Sequence, residues 1–506
     1  MFRIFLLLMF CFSSLELNAQ AIEGEKESFI HFLPNIYLVL LNSEKLNDEA
    51  ESAYKLELKN RFENGYVTGA GFSDDIAKAI SDVAVFTANP GEFRPTFGGA
   101  NNIINRGQIL HTTAVYAYAV DDVNVANIVA TEILATINNN NLYSQFWLDV
   151  IADNTRWDGG DFNGWIQAAK AKKLKDSYYF IESLQNSLTT NDKKLIEAWF
   201  ERFAELAYTS LSTRLSSVFG NDWVTNGRKK WLNILYPTSA TSSTATPIFD
   251  QDGNVITPYI MSVGQDSYNN RNWDVVAYIH SWAVKNNDLE KEIFARQFFK
   301  SWVEFASFSD GTLAEMWRNV DRDPTLGVFY GWISVGAAVQ LAHNDALSGH
   351  FPDDRLYDYK TTDGIINGSV TLTNEAYTGG STTDSVTEKS LFKILRAQSN
   401  YLRGTENGGW SDARFFKLSD NSVVPLSTAG LRQPSTIPAI ANLYYKSQDL
   451  KDLYLYNTVV GYPAKVSISE GYLAGTGFNE DAGPWGNMIM GAMWLEMEDY
   501  FFTNLD

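Results

Sequence analysis

The sequence predicts an all-α protein, an (α/α) toroid in which helical hairpins form a complete or incomplete barrel. Apolar residues recur at helical spacing through most of the 506 residues, and that is the pattern of amphipathic helices. The helical segments follow one another in pairs, while strand-like segments are few and show no βαβ alternation. A helical solenoid is the alternative, but solenoids usually show a sequence period and none is visible here. We therefore expect a toroid with long loops on one functional rim and a few short β-hairpins.

Each predicted helix rests on this spacing and on local start and stop signals. The pair at 101–120 and 123–137 is joined by a short acidic turn, and the helix at 192–215 follows the capping residues Thr189-Thr190-Asn191-Asp192. The helix at 327–343 is apolar enough to be buried on most sides. The remaining predicted helices cover residues 45–62, 73–87, 174–188, 269–285, 289–305, 387–403, 435–445 and 486–502. A hairpin is predicted at 246–259 and a short strand at 368–373.

Residues 1–19 have the features of a secretory signal peptide. Arg3 precedes the apolar run 4–12, and Leu17-Asn18-Ala19 offers a cleavage site. The run is too short to span a membrane, and no other segment is long and apolar enough to do so. The sequence therefore predicts export to the periplasm or beyond. It also predicts that residues 20–506 form a single catalytic domain.

Composition narrows the class of partner. The formal net charge of −20 disfavours nucleic acid and anionic membranes, because both would be repelled. The 14 tryptophans and 25 tyrosines suit a large core or a sugar-binding cleft, since their flat faces stack on sugar rings. The one cysteine, Cys11, lies inside the signal peptide, and its flanks favour cleavage over a lipid anchor. The mature chain then has neither disulfides nor thiolate chemistry.

Several reaction classes lack their motifs. The five histidines show no pair at metal-ligand spacing, and there is no HExxH, no GxSxG and no phosphate-binding loop. The histidines are His31, His111, His280, His343 and His350. We expect no cofactor and no catalytic metal.

One stretch concentrates amides, arginines and a tyrosine. Asn269 and Asn270 open a predicted helix, where the simpler alternative is a helix cap. The stretch continues through Arg271, Trp273, the segment Asp310-Gly311-Thr312-Leu313-Ala314-Glu315, Arg318, Arg322 and Tyr330. Tyr330 enters an apolar helix, where the alternative is a core tyrosine.

These residues resemble the alginate lyases of the (α/α)-toroid type, which cleave mannuronate-rich alginate, and the related toroid lyases that act on glucuronan. The resemblance covers about 75 residues, from the Asn-Asn pair to the tyrosine-led helix. It implies that Asn269, Asn270 and one of Arg318 or Arg322 neutralise the uronate carboxylate, and that Tyr330 carries the proton. The family has a histidine where this chain has Arg271.

His111 is our candidate for that missing histidine, with a core or helix-face histidine as the alternative. Arg106, one turn earlier, is a candidate for binding a substrate carboxylate or for a surface ion pair. Arg271 and Trp273 are expected to contact substrate. Two glycine-rich aromatic loops complete the predicted sugar-binding wall, although each tryptophan there also suits a core plug. The loop residues are Trp157, Trp165, Trp410 and Arg414.

The sequence as a whole predicts a lyase for an acidic polysaccharide. Such an enzyme removes the C5 proton of a uronate and expels the 4-linked sugar, after neutralising the neighbouring carboxylate. An inverting glycoside hydrolase on the same toroid is one alternative. Its loop carboxylates would come from Asp158, Asp161, Asp310, Glu315, Asp412 and Asp481. A non-catalytic glycan-binding protein is the other alternative.

Overall fold

The structure is a computed structural model that describes parts of the chain separated by gaps. The described residues are 55, 56, 59, 62, 63, 72–93, 100–138, 148, 149, 151, 152, 164–219, 268–307, 311–313, 315, 324–362, 388–404, 441, 442, 444–447 and 450. The predicted signal peptide, the hairpin at 246–259, the strand at 368–373 and the helix at 486–502 lie outside them. The predicted helices at 45–62 and 435–445 are described only at scattered, mostly helical positions.

The described residues are predominantly helical, which confirms the all-α class for this part of the chain. The helices are α1 (Phe72–Ala88), α2 (Ala100–Val120), α3 (Val123–Asn138), α4 (Gly164–Ile181), α5 (Thr190–Phe219), α6 (Asn270–Asn286), α7 (Leu289–Phe305), α8 (Pro324–Ser348) and α9 (Leu391–Gly404). Short 3₁₀ turns lie at Pro90–Phe93 and Leu356–Asp358. Strands β1 (Lys360–Thr361) and β2 (Lys389–Ser390) pair antiparallel, with Lys360 opposite Ser390. None of the described helices combines the length and apolarity needed to cross a membrane.

The predicted bounds agree best where caps are clear in the sequence. The helix predicted at 289–305 is confirmed as α7, whose N-cap Asp288 accepts a hydrogen bond from the Lys291 N–H. The prediction at 174–188 is wrong at both ends, because α4 begins at Gly164 and ends at Ile181. Residues 170–175 include four lysines, which hide the apolar face of the helix in the sequence. Three of them, Lys172, Lys173 and Lys175, are nevertheless buried.

The helices pack as successive hairpins. Within them α2 packs against α3, α4 against α5 and α6 against α7, while α2, α4, α6 and α8 also pack against one another in that order. Helices α4 and α6 run in the same direction. Lys175 Nζ of α4 lies 3.0 Å from Ser281 Oγ of α6, and farther along both, Glu182 Oε2 lies 3.5 Å from Lys285 Nζ.

Aromatic side chains fill the space between α6 and α7. The Trp273 ring is fully buried and meets Trp302 and Phe298 edge to face, with centroids 5.2 and 5.0 Å away. Edge-to-face pairs of this kind add to the stability gained from burial. The Tyr278 ring extends this core toward α5, where it contacts Phe203.

Candidate functional site: a buried basic centre

Three basic side chains meet where α2 packs against α4. They are His111 of α2 and Lys172 and Lys173 of α4, which we call the basic centre. The charges of both lysines act on His111, and each of the three residues is less than 5% exposed. A group of buried basic side chains inside a chain of net charge −20 is unusual, because burying an unpaired charge is costly.

Close packing of the two helices places Lys173 beside α2. Gly107 faces Lys173 one turn before His111, and a Cβ at that glycine would lie 3.6 Å from Lys173 Cβ. The lysine stem therefore runs along the α2 backbone, as long side chains often do over apolar surface.

The neighbouring helices contribute a few polar groups to the basic centre. Lys172 Nζ donates a hydrogen bond to Gln340 Oε1 of α8 at 3.0 Å. The buried carboxylates of Asp176 on α4 and Asp274 on α6 act on both lysines and oppose the lowering of their pKa values. Helices α2, α4, α6 and α8 thus all contribute to one polar region inside the bundle.

Burial shifts the protonation of the basic centre toward its neutral forms. Removal from water, followed by the charge of Lys172, lowers the pKa of Lys173 well below its ordinary value. Burial also lowers the pKa of His111 well below 6.5, and the charges of Lys173 and Lys172 add to that effect. His111 is therefore a neutral imidazole at pH 7, and an anion brought close to either group would raise its pKa.

The basic centre has unused hydrogen-bonding capacity. Among the described residues, neither ring nitrogen of His111 nor Nζ of Lys173 has a hydrogen-bond partner. Buried polar groups in folded proteins are nearly always bonded, and leaving one unbonded costs about 1–3 kcal/mol. Two such groups side by side form an arrangement that can accept a ligand with oxygen atoms and negative charge.

Lys175, two residues farther along α4, provides the contrast. Its Nζ donates to Asp176 Oδ1 at 2.9 Å and to Ser281 Oγ at 3.0 Å. It also lies over the rings of Tyr179 and Tyr278, 5.4 Å from each centroid. The ammonium group of Lys175 thus has hydrogen-bond partners and a structural role, whereas Nζ of Lys173 has no hydrogen-bond partner among the described residues.

Of the residues predicted from sequence, His111 lies in the basic centre. Asn269 is the N-cap of α6, where its side-chain oxygen accepts a hydrogen bond from the Asn272 N–H at 3.0 Å. Asn270 is buried in the first turn of that helix, and Arg271 beside it is partly exposed. Trp273 lies in the aromatic core, where its ring is fully buried.

The other predicted site residues are described by helix position alone or lie outside the described residues. Arg106 lies on α2, Trp165 on α4 and Tyr330 on α8. The rest lie outside the described residues, namely Trp157, Arg318, Arg322, Trp410 and Arg414.

The glycine of the predicted motif has a packing role. Gly311 adopts φ +88°, and a Cβ there would lie 2.4 Å from the Lys393 carbonyl oxygen of α9. Thr312, Leu313 and Glu315 beside it are buried. Part of the motif therefore serves close packing of this segment on α9.

Sequence reasoning missed Lys172 and Lys173. The segment Ala169-Lys170-Ala171-Lys172-Lys173-Leu174-Lys175-Asp176 looks like a solvated helix face, since lysine is rarely buried. Helical periodicity could have revealed their burial. The lysines alternate with alanine and leucine, so on a helix they point to every side, including the side that packs against other helices.

A separate cleft of about 650 Å³ lies near the α2–α3 turn. Glu63, Asp121 and Asp122 line it together with Phe62 and Tyr116. Three carboxylates make this cleft unsuited to a polyanion, so the basic centre is the better candidate for one.

Comparisons with known proteins add no relative. No protein-family model, no curated protein and no solved structure matches the chain.

Proposed function

We propose that the protein is a lyase that cleaves an acidic polyuronate of the alginate or glucuronan type by β-elimination, on an (α/α) toroid. The observation that carries the proposal is the buried, unbonded pair of His111 and Lys173 beside Lys172. A uronate carboxylate supplies the negative charge and the acceptor oxygens that this pair lacks. In a chain of net charge −20, the basic centre is a local group of side chains that can attract an anion.

The proposed reaction begins when the carboxylate is neutralised. Lys172 and Lys173 face it as cations, and the amides of Asn269 and Asn270 assist, with Arg318 or Arg322 as a further predicted partner. Neutralisation stabilises the negative charge that develops when the C5 proton leaves. Arrival of the carboxylate also raises the pKa of Lys173, which favours its ammonium form.

Elimination then breaks the C5–H and C4–O bonds and forms one double bond. A base removes the C5 proton, the electron pair forms the C4–C5 double bond, and the C4–O bond breaks. The leaving oxygen receives a proton from an acid. Tyr330 is the predicted proton carrier and His111, held as a neutral imidazole, is the second candidate for the base. His111 and Lys173 are buried, so the proposed reaction requires a conformational change that lets the sugar reach them.

The test is product analysis on purified protein. Incubation with alginate, polymannuronate and glucuronan should release fragments with an unsaturated uronate, seen as rising near-ultraviolet absorbance. New reducing ends without that absorbance would indicate a glycoside hydrolase. Binding without any release of fragments would indicate a glycan-binding protein.

Two lysine variants separate the site from the scaffold. Lys173→Met should lower kcat/KM roughly 100- to 1,000-fold, by analogy with loss of one charge-stabilising donor, and leave stability unchanged or higher because an unbonded buried amine is removed. The matched control Lys175→Met should instead cost about 3–5 kcal/mol of stability, since it breaks a buried ion pair. Full activity in a folded Lys173→Met variant would remove the basic centre from the mechanism.

A further inference from the structure

Three buried side chains from three consecutive helices meet in a second cluster. His280 comes from α6, Glu292 from α7 and Asp345 from α8. One imidazole nitrogen and one oxygen from each carboxylate all lie within 4.8 Å of one another. Each of the three residues is at most 2% exposed.

His280 points its unused bonding capacity into this cluster. Within the described part of the chain, neither of its ring nitrogens has a hydrogen-bond partner, although carboxylate oxygens from two other helices lie nearby. The two carboxylate oxygens are too far from the His280 ring for hydrogen bonds, yet the nitrogen and the two oxygens lie close enough together to surround a single ion. An ion with bonds of about 2.0–2.2 Å to nitrogen and oxygen ligands would join them after small side-chain movements.

The charges of the cluster leave room for a cation. Arg296 contacts Asp345 and shares its guanidinium with Asp354, 2.8 Å away. Among the described residues, Glu292 accepts a hydrogen bond from Ser348 Oγ at 3.4 Å and pairs with the His350 ring at 2.7 Å. The guanidinium whose charge acts on both buried carboxylates is thus already shared with Asp354, and buried negative charge is costly without enough opposite charge.

Hydrogen bonds from other residues also fix the positions of the two carboxylates. His350 Nδ1 fixes Glu292 Oε2, and the Leu356 N–H donates to Asp345 Oδ2 at 3.0 Å. In metal sites of proteins, hydrogen bonds of this kind orient the ligands, and removing one such group typically weakens metal binding about 10–100-fold. An ionised carboxylate keeps spare lone pairs after such bonds.

We propose that His280, Glu292 and Asp345 bind a first-row divalent cation, with Zn²⁺ the best-matched ion, that ties α6, α7 and α8 together. The nitrogen ligand favours Zn²⁺ over Ca²⁺ and Mg²⁺, which prefer oxygen ligands. The role is structural and holds whether or not the chain is a lyase. Sequence spacing does not reveal the site, because its ligands come from three separate helices.

Metal analysis of the full chain tests the proposal. Chain purified without chelator and then supplied with Zn²⁺ should retain about one zinc per chain after desalting, the stoichiometry of a mononuclear site. After chelator treatment, Zn²⁺ should raise the unfolding midpoint and Ca²⁺ at equal concentration should not. Co²⁺ in place of Zn²⁺ should give the visible absorption of a low-coordinate nitrogen–oxygen site.

Variants assign the ligands. His280→Gln should abolish the bound zinc and its thermal shift, whereas His343→Gln, the same change at another buried histidine, should retain both. His350→Ala should weaken zinc binding about 10–100-fold. Absence of zinc from the wild type, or equal zinc affinity in the His280→Gln and His343→Gln chains, would overturn the proposal. The wild-type cobalt spectrum keeps the test decisive if a variant fails to fold.

Discussion

Asn269 illustrates how one residue can serve structure and chemistry together. Its oxygen caps α6, while the proposed reaction uses its amide. Asn269→Asp should keep the cap and the stability, because aspartate caps equally well. It should lower kcat/KM roughly 100- to 1,000-fold, because a carboxylate repels the uronate and donates no hydrogen bond.

Two further changes at this position separate the roles. Asn269→Ala should cost about 1 kcal/mol in urea-induced unfolding. Asn269→Ser keeps a cap oxygen without the amide, so a fully active serine variant would reduce Asn269 to a cap.

Adding a single methyl group at two different glycines should change the stability in opposite directions. At Gly311 the positive φ and the 2.4 Å approach to the Lys393 oxygen leave no space, and Gly311→Ala should cost at least about 2 kcal/mol. At Gly107 the contact is an ordinary 3.6 Å in mid-helix, so Gly107→Ala should be neutral or stabilising by about 0.5–1 kcal/mol. Urea unfolding of both variants checks the difference, which an equal loss would contradict.

At the scale of the elements, the α4–α5–α6 contact makes stability depend on pH. Burial, followed by the charge of Glu182, raises the pKa of Glu197 on α5 from 4.5 to about 7. Between these values the folded chain holds a proton that the unfolded chain has lost, so stability is full below pH 4.5 and declines as pH rises through 7.

Glu197→Gln removes this decline. The variant should be more stable than wild type at pH 8, by on the order of 2 kcal/mol after allowance for partial exposure, and similar at pH 4.5. Urea unfolding at both pH values measures it. Glu201→Gln, an exposed change one turn along α5, is the control, and an identical response in both variants would contradict the assignment.

The helices differ in how much of them the sequence predicts. Helix α7 follows from its capping aspartate and apolar spacing, and α6 from the asparagine that caps it. Helix α4 does not, because the energetic compensation for burying Lys172 and Lys175 comes from Gln340 and Ser281 on other helices. His280, Glu292 and Asp345 converge for the same kind of reason, which local spacing does not encode. His111 became a candidate because polar residues surround it in the sequence. The asparagines and arginine beside Trp273 suggested an exposed ring, but burial depends on Phe298 and Trp302 of α7, which the local sequence does not show.

At the scale of the whole molecule, buried neutral histidines oppose the pH response of Glu197. Burial lowers the pKa of His343 from 6.5 to about 3, so only the unfolded chain takes up its proton between these values. Stability from this group is full above pH 6.5 and is lost as pH falls, at about 1.4 kcal/mol per pH unit.

His343→Phe preserves the edge-on ring contact with Tyr357 and removes the titration. The stability difference between wild type and variant should therefore shrink by about 2 kcal/mol from pH 7 to pH 5. Urea titrations at the two pH values measure it. A constant difference would show that folding does not change the pKa of His343.

The shared direction of α4 and α6 has an electrostatic consequence. Each helix carries about half a positive charge at its first turn, and these first turns lie toward the same end of the bundle. That end contains the N-cap residue Asn269, and helix N-termini favour anions. The aligned dipoles give a chain of strongly negative net charge one pole that attracts a polyanion.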